Sequence, residues 1–102
     1  MANKFNRYVA TDVTTNTTVI TCPAGKAITV IGLVISNTSG LITNVSVELA
    51  GGYVVKNAIV INGSAIVPIG GEQKIVMVAG DTLSVSADNS VDVIASVLET
   101  TI

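Results

Sequence analysis

A chain of 102 residues holds one domain, and five Lys or Arg against seven Asp or Glu leave no basic stripe for nucleic acid. It has no His and a single Cys, which excludes imidazole bases, Ser/His nucleophile pairs and Cys or His zinc sites. Charged residues make up 12% of the chain and hydrophobic residues 49%, and a domain this small cannot hide all its apolar side chains inside.

Residues 1–15 are expected to form an N-terminal arm with a first short strand, and residues 16–102 a β-sandwich. The arm begins Met1-Ala2-Asn3-Lys4-Phe5-Asn6-Arg7, with no apolar stretch of the kind that directs secretion. Phe5, Arg7 and Tyr8 make it a candidate clasp, folding back on its own sheet or docking on a neighbour. Thr17–Thr21 reads as a β-branched strand that ends at the Cys22-Pro23-Ala24-Gly25-Lys26 turn. Cys22 reads as a small buried hydrophobe; a disulfide between subunits is the sharper alternative.

The stretch 27–36 is apolar on both faces, with Ile31, Leu33 and Ile35 on one and Ile28, Val30 and Val34 on the other. Such a strand is expected to be covered on both sides, the second cover being a loop, a terminus or another subunit. It is also the longest nearly apolar run, far short of a membrane helix. After the Asn37-Thr38-Ser39-Gly40 turn, Thr43–Leu49 alternates, with Val45, Val47 and Leu49 inward. Gly51-Gly52 interrupts the pattern before a strand at 53–60 that begins with Tyr53, a candidate exposed aromatic. Asn62-Gly63 is a hairpin signal suited to a type I′ turn. Strands at 64–69 and 73–78 follow, separated by Gly70-Gly71. Thr82–Ala87 and a last strand at 91–99 are expected to form the last hairpin, turning at Asp88-Asn89-Ser90, and Ile94 and Leu98 stand on the outer side of the last strand as candidate interface anchors. Eight or nine short strands without a helix predict an all-β antiparallel sandwich or small jelly roll.

No residue pattern points to chemistry. The seven carboxylates are scattered, several in turns where Asp binds nearby backbone amides. Asp81, Asp88, Asn89 and Asp92 could supply oxygen ligands, but their spacing matches no calcium loop, so the expectation is turn chemistry and no metal. Phosphate-cradling glycine motifs are absent, and three aromatic residues give little platform for sugars or bases. No cofactor is implied. The four Asn-X-Ser/Thr triplets, at Asn16, Asn37, Asn44 and Asn62, reflect a chain rich in Asn, Thr and Ser.

The segments Tyr53-Val54-Val55-Lys56-Asn57-Ala58, Ser64-Ala65-Ile66-Val67-Pro68, Gly71-Glu72-Gln73-Lys74-Ile75-Val76, Ala79-Gly80-Asp81-Thr82-Leu83-Ser84-Val85 and Val91-Asp92-Val93-Ile94-Ala95-Ser96-Val97-Leu98-Glu99 together resemble small structural proteins of tailed bacteriophages. The likeness covers about the last half of the chain, is one of strands and turns, and carries no catalytic signature. It implies a virion component made in the host cytoplasm. The favoured form is a capsid decoration (cement) protein that assembles with itself as a trimer and binds the major capsid protein. A neck, tail or fibre-base protein is the first alternative, and a host-surface binding module centred on Tyr53 the second. Neither nucleic acid nor membrane is an expected partner, and an enzyme is not expected.

Overall fold

The computed structural model describes residues 3–70 and 74–102. Nine strands make up the domain: β1 (Asn3–Val13), β2 (Thr17–Thr21), β3 (Lys26–Asn37), β4 (Thr43–Leu49), β5 (Gly52–Val60), β6 (Ala65–Ile69), β7 (Ile75–Met77), β8 (Thr82–Ala87) and β9 (Val91–Thr101). Met1 and Ala2 of the expected arm, and Gly71, Glu72 and Gln73 of the expected turn and strand, lie outside the described residues.

One sheet runs β1-β9-β3-β6, with β7 continuing the β6 edge along β3; the other runs β2-β8-β4-β5, and every pairing is antiparallel. Taking β6 and β7 as two halves of one edge strand, the pairs are nested: first with last, second with second-last, and so on inward to β4 with β5. This is the wrap of a jelly roll, and the sandwich expected from the strand pattern is what the chain forms.

Nesting dictates which turns are hairpins. The chain passes from one sheet to the other at the tips of the sandwich, and β4–β5 is the one tight hairpin among the described residues. Its two-residue turn is Ala50-Gly51, both at positive φ (49° and 88°), which is the type I′ conformation. Asn62-Gly63 was the expected type I′ hairpin, and here the structure differs. Only Gly63 has positive φ, Ser64 N–H donates to the Ile61 carbonyl at 3.1 Å, and the turn carries the chain from β5 across to β6 in the opposite sheet. A turn that changes sheets need not match the twist of a strand pair, so one left-handed residue suffices. The expected last hairpin at Asp88-Asn89-Ser90 is likewise a crossing, from β8 in one sheet to β9 in the other.

The core between the sheets is built from alternate residues: Val45 and Val47 of β4, Leu83 and Val85 of β8, and Val91, Val93, Ala95 and Val97 of β9, all buried. The doubly apolar strand is explained differently from the expectation. A bulge between Val30 and Gly32, opposite Val97 and Ser96, inserts one residue and reverses the alternation. Ile28, Val30, Leu33 and Ile35 all point inward and are fully buried, leaving Ile31 and Val34 outside. The other edges are blunted: β2 is short, β5 carries a bulge at Lys56 and Asn57, and the β6/β7 edge holds Pro68.

Candidate interaction surfaces

The expected arm is a full strand. Asn3 to Ala10 pair residue by residue with β9, so Phe5 faces Leu98, Arg7 faces Ser96, and Val9 faces Ile94. Four of the six candidate contact residues (Phe5, Arg7, Ile94 and Leu98) therefore meet on the outer face of one sheet. Their neighbours there were not anticipated: Val9 on β1, Val34 on β3, Val67 on β6 and Val76 on β7. Phe5 is 74% exposed, Val9 56%, Ile94 47% and Val67 60%. The period-2 spacing of Phe5, Arg7 and Val9 is the signal that could have placed β1 on this face.

Tyr8 goes the other way. It points between the sheets beside Glu99, a buried carboxylate at the end of the core. The Tyr8 hydroxyl and Asn6 Nδ2 (3.2 Å) both donate to Glu99 Oε1, and Lys26 Nζ lies 3.9 Å from Oε2. The Tyr8 bond, followed by Asn6 and Lys26, holds the Glu99 carboxyl below the usual carboxylate range, against the opposing effect of burial. The same bond, aided by burial, pushes the Tyr8 phenol up to about 12.

Both shifts make stability depend on pH. The Glu99 contribution is complete above the unfolded carboxyl value of about 4.3 and fades as pH falls through the lower folded value. The Tyr8 contribution is complete below the ordinary value of 10.0 and fades as pH climbs towards about 12. Urea midpoints measured across pH should fall on both limbs, and Tyr8→Phe should flatten the alkaline limb while shrinking the acid one. Parallel curves for the two proteins would show that the bond contributes nothing.

Tyr53 lies on the other sheet, exposed on edge strand β5, with Lys56 Nζ 5.1 Å from its ring centroid and Glu48 opposite it. It stands apart from the other five candidates. At one tip of the sandwich, Leu41, Ile42, Ile59 and Ile61 are also exposed. Asn37 shapes that tip from below: Nδ2 donates to the carbonyls of Leu41 (2.7 Å) and Val60 (3.0 Å), and Oδ1 accepts the Ser39 N–H (3.0 Å).

The aspartates of the expected oxygen cluster bond to groups of nearby turns and strand ends. Asp81 accepts the Val78 N–H at 3.0 Å, Asp88 the Asn44 amide at 3.0 Å, and Asp92 the Asp12 N–H at 3.1 Å. Asp81 and Asp88 flank opposite ends of β8. Cys22 is buried, its thiol directed at the Lys26 carbonyl 3.3 Å away, and burial pushes its pKa up.

The fold defines the class, a jelly-roll β-sandwich. It is similar to a solved chain from Bacillus endospore appendages, described as a novel family of disulfide-linked pili, with TM-score 0.56 and 14% identity over 99% of this chain and 88% of that one. At that identity the likeness is one of fold. No protein-family model matches the chain, and no curated protein matches it.

Proposed function

We propose that this chain is a non-enzymatic structural subunit, specifically a capsid decoration protein of a tailed bacteriophage that assembles with itself and fastens neighbouring shell subunits. The observation that carries the reading is the outer face of the β1-β9-β3-β6/β7 sheet, where exposed Phe, Val and Ile side chains surround a single basic residue, Arg7. A contiguous apolar sheet face of this kind marks a protein–protein contact. The scarcity of charge across the whole chain and the strand-and-turn likeness to virion proteins support it further. A protein that binds only the assembled lattice stabilises that lattice by mass action.

The resemblance to a pilus subunit is compatible with self-assembly, but disulfide linkage is not carried over, since the single cysteine is buried. Particles assembled without this protein are expected to release DNA at a lower temperature than complete ones. Unchanged release would reject the cement role, and a copy number of six or twelve per particle in place of hundreds would move the protein to the neck or tail.

A further inference from the structure

The same face has relief, and the relief repeats across the strands. Val9, Ile94 and Val34 are cross-strand neighbours in one row, and Val67 of the bulged β6 extends that row to the far edge, making an apolar ridge. One step along the strands, Arg7, Ser96 and Gly32 form a trough. A depression of about 410 Å³ opens beside that row, on the side away from the ridge, lined by Phe5, Asn6, Arg7, Ile31, Ser96 and Val97.

Gly32 stands at the β3 bulge, in the trough row. Glycine in a strand interior weakens the strand, and marks a bulge, an unusual backbone conformation or the close approach of another group. Its φ is not in the left-handed region, and a Cβ built on it would meet nothing nearer than Ser96 Cβ at 4.0 Å. The bulge accounts for a glycine here, though neither a left-handed φ nor a close contact excludes a side chain. Its missing side chain leaves the row low beside Ser96.

We propose that the trough receives the ridge of a second copy of this chain, giving a two-fold, face-to-face pair. The inference rests on the structural-subunit reading and names the partner for its apolar face. Ridge and trough lie on the same face one row apart, which makes the surface self-complementary: a two-fold axis between the two rows seats each ridge in the other copy's trough. The size is sufficient. Four strands at ~4.8 Å spacing and about nine residues at ~3.3 Å cover roughly 600 Å², and two such faces bury on the order of 1,200 Å², the lower bound for specific, stable pairs. Arg7 lies at the β1 end of the trough, where its stem can pack on the apolar rim while its guanidinium stays wet.

Gly32→Val tests this, because it fills the trough row with a residue that favours strands, at a position where a Cβ has room in the monomer. The native protein should sediment as a dimer at micromolar concentration. Gly32→Val should keep or raise its melting temperature while its dimer dissociation constant rises at least tenfold, and Gly32→Ala should show a smaller rise. A native protein that is monomeric or trimeric would overturn the pairing, as would a Gly32→Val protein that pairs like the native one, the result expected if copies join through the β1 edge. None of these outcomes touches the particle-release experiment, so the two readings fail separately.

Discussion

The double substitution Ile94→Lys, Leu98→Lys should leave the chain monomeric at concentrations where the native protein is paired, with a loss of association of at least a hundredfold. Ile94 is the centre of the apolar ridge, and Leu98 packs beside Phe5 on the far side of the trough. Two buried ammonium groups on each copy would face apolar side chains with no partner, and unpaired charge is among the costliest things to bury. Both positions point away from the core, so the folded monomer should survive with its circular dichroism unchanged. Tyr53→Lys, on the other sheet, is the control and should leave association intact. Sedimentation velocity reads both; if the double variant pairs as tightly as the native chain, the β1-β9-β3 face is not the contact.

Asn37→Ala should destabilise the monomer by about 2–4 kcal/mol, since each buried polar group left without a partner costs roughly 1–3 kcal/mol. The side chain is 5% exposed and joins β3 to the carbonyls of Leu41 and Val60 and to Ser39. Its loss strands the Val60 carbonyl in the core and frees the loop that presents Leu41 and Ile42. At roughly 4–8 °C per kcal/mol for a domain of this size, the melting temperature should fall by on the order of 10–25 °C. The exposed Asn16→Ala should move it by no more than about 3 °C. A small effect of Asn37→Ala would mean that water replaces the amide at the tip without penalty.

Alternation and turn residues foretold most of the strands, and Thr43–Leu49 and Thr82–Ala87 begin and end where they were expected. Three things were not legible, each for a physical reason. The β3 bulge changes the parity inside a run, Val30 to Ile35, that carries no polar side chain, so the pattern holds no mark of the slip. Strand β1 inverts the usual code: polar Asn6 and Tyr8 point inward because Glu99 satisfies them, while Phe5 and Val9 point outward. Asn62-Gly63 identifies a turn, but whether a turn returns to the same sheet depends on pairings far along the chain. The candidate surface was half visible: Ile94 and Leu98 stood out against a buried alternate row, whereas Val34, Val67 and Val76 joined them only once register was known.

The nested order of pairing also governs how the domain comes into being. Asn6 and Glu99 are 93 positions apart, so during synthesis β1 stays unmatched until β9 is complete. Contacts of such long reach are slow to close, and refolding on the millisecond-to-second scale should start at the β4–β5 turn and travel outward. Crowded nascent chains would spend that interval with an unmatched β1, which can pair with the β9 margin of a sister molecule in place of its own.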